Sequence, residues 1–498
     1  MNLLGSGISF GGDSFGFGSS SSGFGSGDTG FGSSSSGFGS ENIGFGSSSS
    51  GFGGSSSGFE SNSEQNITKT NTEISSDLKP DSLDGEVNYN PIKLYDGTTN
   101  SSLSEAESVA NFISVRYGTE ANVLNLCFDV GGSTTDISAL FLLQKQEKGE
   151  NKNILTMIKQ NSLRFAAQRV SKSVGNFPNF KGVLQQTCVE NNIKMLGLNM
   201  GNDTYSEATA SYFFDQIVNR LQPDQLPSFY RRIAADCPEL MCVNMYVTGL
   251  LMYYAGQVAH KLIDDLRRTS KNEWAQIQKP YVRVTFAGKG SRLFQWLKTI
   301  NAGAAKQYYG QLFVMGYGEV HLKNTLGDWQ QIILPDVNDE DIKYEVSKGL
   351  AKGDTLLYKP STQQPSEIIG EAGFQLVGND NVARPVEFTN SITPDMMKHI
   401  GVRFNLQAGA SQASKFTEFC GYFYSIANQL VGWRTNPNEL ELACKQMNIA
   451  AYAQQMPEFR TAIQEMNASN QPFSFVAPVI IMEGMKFYEQ TLLKLLKR

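Results

Sequence analysis

The chain has 498 residues, with 42 Lys and Arg against 48 Asp and Glu and a net charge of −6. That balance leaves no basic footprint for nucleic acid. The Met1 region lacks a positive start followed by an apolar stretch, so no signal peptide is read there. Six cysteines (Cys127, Cys188, Cys237, Cys242, Cys420, Cys444) show no paired metal spacing, and His260, His321 and His399 are isolated. A zinc site is not expected, and reduced thiols in a cytoplasmic protein are.

The first segment, 1–63, is a low-complexity tail. Of residues 1–59, 20 are Ser, 19 are Gly and 9 are Phe. Phe10, Phe17, Phe24, Phe31, Phe38, Phe45, Phe52 and Phe59 recur every seven residues. Gly is a poor helix former, costing about 1 kcal/mol per position, and one apolar residue per heptad makes no coiled-coil seam. The tail therefore reads as disordered, serving either as a tether or as a self-association segment acting through its Phe residues. Residues 64–103 are a polar linker containing Pro80 and Pro91.

From Ser104 onward the composition is globular and long enough for a large core. Ser104 and Glu107 form a capping-box pattern for a helix from Ser104 to Tyr117. Val123–Phe128 is an apolar strand that runs into Asp129-Val130-Gly131-Gly132-Ser133-Thr134-Thr135-Asp136. Glycines let a backbone approach a ligand, and consecutive N–H groups in such a turn attract phosphate oxygens. Ser133, Thr134 and Thr135 add hydroxyl donors, and Asp129 is placed to hold Mg²⁺ or orient a water.

Ile137–Leu143 continues as a second strand, Lys145–Lys152 reads as a charged turn, and Ile154–Ile158 as a third strand. A helix is expected from Ser162, with Leu163, Phe165, Ala166, Val170 and Val174 on one face. Arg164 and Arg169 read either as phosphate or partner ligands or as a solvated face. Further helix is expected at Glu207–Leu221. The uncharged run Leu240–Ala259 meets a membrane-span length of about 18 residues. Its Asn244, Thr248, Gly249 and Gln257, with no second span, make it a buried helix instead.

Tyr281–Phe286 alternates as a strand and ends in Ala287-Gly288-Lys289-Gly290-Ser291, after which Arg292–Leu297 opens an amphipathic helix. Two strand-to-glycine-turn units suggest a site closed from two sides. Beyond residue 360, Gly370–Phe388 has strand-like fragments, while Phe416–Tyr424 and Met482–Leu495 read as helices.

Together these segments resemble the ATPase superfamily that contains actin, the heat-shock chaperone ATPases, bacterial actin-like division and segregation proteins and some sugar kinases. Asp129–Asp136 is similar to its second phosphate-binding loop and Ala287–Ser291 to its adenosine-binding loop. The Ser104–Tyr117 helix, with Glu105 24 residues before Asp129, resembles the first connecting helix. Ile333–Asp336 followed by Tyr344–Ala351 resembles the second.

Two features depart from the pattern. Lys289 stands where the adenosine loop has a second glycine. No Asp-x-Gly-Thr strand-loop precedes the second phosphate loop, and Asp96–Ser101 lacks the strand such a loop needs. The chain thus resembles the C-terminal lobe alone, over roughly residues 104–360, with an inserted subdomain at about 162–270 and a mainly helical region at 361–498.

The resemblance implies an α/β fold, a mixed sheet flanked by helices. It implies ATP and Mg²⁺ as cofactors, with Asp129 as catalytic and metal residue. Gly131, Gly132, Ser133, Thr134 and Thr135 would cradle phosphates, and Gly288, Gly290 and Ser291 would meet the adenosine. The function so implied is a nucleotide-binding actin-like or chaperone-like ATPase lobe, completed by a protein partner that supplies the N-terminal lobe. The rival is a non-catalytic scaffold built on the same half-fold, with the tail supplying self-association. A sugar kinase ranks third. Neither nucleic acid nor membrane is an expected partner.

Overall fold

The computed structural model describes residues 105–117, 123–147, 150–195, 205–269, 281–318, 330–334, 344–351, 367–371, 374–377, 381–385, 403–406, 415–432, 439 and 475–497. The Phe-repeat tail, the 64–103 linker, the Asp96–Ser101 segment, Cys444, His321 and His399 lie outside the described residues.

Strand β1 (Val123–Val130) is apolar on both faces because both are covered. Leu124, Leu126, Phe128 and Val130 enter the main core, while Cys127 joins Val109, Phe112 and Ile113 of helix α1 (Glu105–Tyr117). A strand hidden on both sides reads as an unbroken apolar run. Strands β2 (Thr135–Glu147) and β3 (Glu150–Leu163) follow as antiparallel neighbours.

Two expectations are corrected here. Lys145–Lys152 is mostly ladder rather than turn: Lys145 pairs with Lys152 and Glu147 with Glu150. Ladder bonds come from the backbone, so charged side chains alone do not end a strand. Nor does a helix begin at Ser162, because Ser162 and Leu163 pair with Asp136 and Thr135 on one side and with Phe475 and Val476 on the other. Helix α2 starts only at Gln168 (Gln168–Ser173). The residues chosen for its apolar face, Leu163, Phe165, Ala166, Val170 and Val174, are all buried nonetheless.

Four helices follow: α3 (Phe180–Glu190), α4 (Glu207–Arg220), α5 (Leu226–Asp236) and α6 (Pro238–Thr269). Leu240–Ala259 is buried within α6, as its polar residues led us to expect. Asn244 Nδ2 donates to the Leu293 carbonyl at 3.1 Å, fixing α6 beside the helix that follows β4. Among the described residues no helix is long and apolar enough to cross a membrane.

Strand β4 (Tyr281–Ala287), helices α7 (Leu293–Ile300) and α8 (Ala302–Tyr317), strand β5 (Gln330–Ile333) and helix α9 (Glu345–Ala351) come next. Strands β6 (Glu367–Ile369), β7 (Phe374–Val377), β8 (Ala383–Pro385) and β9 (Arg403–Leu406) precede helix α10 (Lys415–Val431). The chain closes with β10 (Phe475–Pro478), helix α11 (Val479–Phe487), a π-helical turn at Tyr488–Leu492 and helix α12 (Leu493–Leu496).

The main sheet runs β5-β4-β1-β2-β3-β10-β6, and β8-β7-β9 form a small antiparallel sheet. Strands β5, β4 and β1 are mutually parallel, while β2 runs against β1. The fold is therefore α/β, a mixed sheet with helices. After residue 360 the described residues include both strands and helices, and β6 and β10 both belong to the main sheet. From β1 the chain moves one way across the sheet, through β2 and β3. It then returns to β1's other edge with β4 and continues outward to β5. The direction reverses between β1 and β4, and such switch points are where open α/β sheets leave a crevice at strand carboxyl ends.

Candidate functional site

At the carboxyl end of β1, Asp129 lies level with Asp136 on β2 and with Ala287 on β4. The chain then turns tightly. Gly131 N–H donates to the Thr134 carbonyl at 2.9 Å. Gly132 and Ser133 form the exposed tip, Thr134 is half-buried, and Thr135 is buried. A Cβ added at Gly132 would meet nothing within 4 Å, so the tip faces open space.

The turn is braced from below. The Gly131 carbonyl accepts from Ala167 N–H at 3.3 Å, and the Gly132 carbonyl from Gln168 N–H at 2.7 Å. Thr135 Oγ1 donates to the Phe165 carbonyl at 2.7 Å. The Gly131 and Gly132 carbonyls and the Gly131 N–H are thus engaged within the fold, while the Gly132–Ser133 tip stays exposed.

The second glycine segment meets this turn directly. Gly288 has φ +75°, and a Cβ placed there would collide with Asp129 Oδ1. A Cβ on Gly290 would sit 2.6 Å from the carbonyl oxygens of Val130 and Gly131. Only glycines allow the two loops to approach this closely. Ser291 is buried and its Oγ donates to the Gly288 carbonyl at 2.6 Å, closing the short 3₁₀ turn Lys289–Arg292 that leads into α7.

A third element completes the cluster. Glu345, buried at the start of α9, accepts the Gly288 N–H through Oε2 at 2.8 Å. Helix α9 is held there by α1: a Cβ on Gly349 would run into the Ser108 backbone, so the two helices touch main chain to main chain. Burial, reinforced by Asp129 and then Glu345, pushes the Cys127 thiol well up. Two carboxylates thus flank Gly288 from opposite elements. Burial also raises Asp136, against the opposing effect of a hydrogen bond from Ser162.

The structure therefore brings Asp129, Gly131, Gly132, Ser133, Thr134, Gly288 and Gly290 together at the β1/β4 switch point. Thr135 and Ser291 are adjacent, but their hydroxyls are engaged by Phe165 and Gly288 and brace the loops. Glu345 was missed as a site residue. Its signal was its place at the start of the segment already singled out as resembling the second connecting helix. Arg169, read as a ligand or a solvated side chain, lies at the surface and pairs there with Glu489.

For a nucleotide with Mg²⁺ the donor set fits in part. The exposed Gly132–Ser133 tip and the Ser133 hydroxyl suit phosphate, and a carboxylate beside them suits a hydrated divalent cation. No group of three or more His, Cys, Asp or Glu that would hold a metal by protein ligands alone occurs among the described residues. A shallow depression of about 570 Å³, lined by Pro178, Asn179, Lys181 and Asp236 among others, includes no residue of either loop. Compared with known proteins, the chain matches no family model and no curated protein sequence.

Proposed function

We propose that this chain is a nucleotide-binding lobe of the actin and chaperone ATPase type, with its site where the Asp129–Asp136 turn meets the Gly288–Ser291 loop. One observation supports this reading above the rest. Glycines in the second loop make room for Asp129 and for the backbone of the first, at the position where α/β sheets of this connectivity bind ligands. In this reading Gly132, Ser133 and Thr134 receive phosphate oxygens, Gly131 closes the turn through its own N–H, Gly288 and Gly290 approach the adenosine, and Asp129 holds Mg²⁺ through water. The cation would supply charge neutralisation of the phosphates. Glu345 fixes the backbone of the adenosine-side loop, and Thr135 and Ser291 hold the two loops in shape.

In this reading the 498 residues supply one of the two phosphate loops of such a clamp, and the other would come from a separate lobe. Calorimetry of the isolated chain with Mg·ATP should accordingly give a dissociation constant on the order of 100 μM or weaker, about −5.5 kcal/mol. Asp129→Ala should weaken it further. Absence of any saturable binding by the wild type would favour the second reading, a scaffold in which the half-fold supplies shape alone. The internal engagement of the Thr135 and Ser291 hydroxyls is the observation on that side.

A further inference from the structure

The exposed tip at Gly132 and Ser133 touches little, so its backbone position is set by the segment that grips its carbonyls, residues 165–168. That segment is anchored from the far end of the chain. Tyr488 Oη donates to the Arg169 carbonyl at 2.7 Å. Arg169 Nη1 donates to Glu489 Oε1 at 3.1 Å, and Nη2 lies 3.2 Å from Met485 Sδ. Tyr488 and Glu489 open the π-helical turn Tyr488–Leu492, a rare geometry that recurs at functional positions. The turn's own base is fixed, because Tyr246 of α6 donates to the Gly484 carbonyl at 2.7 Å and stacks on Tyr488. The short backbone stretch 167–169 thus joins the π turn, bonded to Arg169, to the Gly131–Thr134 turn, bonded to Ala167 and Gln168.

We infer that the π turn is a positioning device for the Gly131–Thr134 turn, with Arg169 as the link and Tyr488 and Glu489 as positioning residues. The π turn then sets how firmly the Gly131–Thr134 turn is held. Its effect on nucleotide affinity rests on the function proposed above; its effect on the turn does not.

Hydrogen exchange of the full-length chain tests it. In the Tyr488→Phe/Glu489→Gln double variant, peptides spanning 130–136 and 165–170 should exchange about tenfold faster, the scale of one lost hydrogen bond. Should that variant not fold, Glu489→Gln alone carries the test, since Glu489 is half-exposed. Arg169→Glu should loosen the same peptides, and adding Glu489→Arg should restore them, a recovery that simple loss of packing would not give. Wild-type exchange at 130–136 in the variants, with faster exchange only at 479–492, would overturn the inference. Mg·ATP titrations run alongside keep the two claims apart. Faster turn exchange without any wild-type binding sinks only the nucleotide reading. Wild-type binding with unchanged turn exchange sinks only the link.

Discussion

The N–H of Gly288 donates to Glu345 Oε2 at 2.8 Å, so the helix crossing α1 holds the loop that faces Asp129. Three segments distant in sequence, β1, β4 and α9, are tied at one glycine. That glycine has two constraints: φ of +75° and the Asp129 carboxylate against its Cα.

Gly288→Ala should therefore destabilise the chain by at least about 1–3 kcal/mol from backbone strain alone, with the collision added to it. Glu345→Ala leaves the half-buried Gly288 N–H without its acceptor and should cost about 1 kcal/mol. Denaturant titration reads both, and Glu345→Gln, which keeps an acceptor oxygen, should lie closer to wild type.

A pH dependence is expected from a second buried pair. Glu371, just past β6, and Glu483 on α11 are both buried and lie close enough to influence one another. Burial pushes Glu371 up to about 7, with Glu418 adding to the rise and Glu483 and Lys415 opposing it, while Tyr253 of α6 faces the same carboxyls. The folded state then binds more protons than the unfolded state between the usual carboxyl value of 4.5 and about 7. Stability is fully present below that window and falls as pH rises through it, by a few kcal/mol. Melting temperature against pH should decline across the window in wild type and flatten in Glu371→Gln. A wild type whose stability rises over the same interval would contradict the assignment.

Removing residues 475–498 should abolish cooperative unfolding rather than trim an appendage. Strand β10 lies between β3 and β6, and every residue of α11 is buried. The truncated chain would expose two strand edges and an apolar groove, a hazard for aggregation. A soluble truncated protein with a wild-type melting curve would show that the strand is dispensable.

Deleting residues 1–63 should do the reverse. A Gly/Ser chain buries little, so the melting temperature should not move. Each aromatic contact is worth only about 0.5–1.5 kcal/mol, but eight on one chain act together once several tails are held close. Light scattering should show less concentration-dependent association after the deletion. Unchanged scattering would leave the tail a tether.

The strands that carry the two glycine turns were legible because each has an unambiguous pattern, one continuous apolar run and one alternation, bounded by Gly. Helix α6 was legible from its polar residues, which find partners such as the Leu293 carbonyl inside the core. What was hidden depended on pairing at long range. Ser162 and Leu163 look helical by spacing, and only Asp136 and Thr135 on one side and Phe475 and Val476 on the other make them strand. β10 is four residues long, too short for periodicity to announce. Glu345 and the Arg169–Glu489 link join residues 57 and 320 apart, which no local pattern encodes.

The central claim, that the Asp129 and Gly288 loops form one nucleotide site, is tested most directly by hydrogen exchange of the full chain with and without saturating Mg·ATP. Peptides covering 130–136 and 287–292 should gain protection together, and both gains should vanish in Asp129→Ala. Protection confined to the depression around Pro178–Gln186, or absent from both loops while nucleotide is bound, would contradict it.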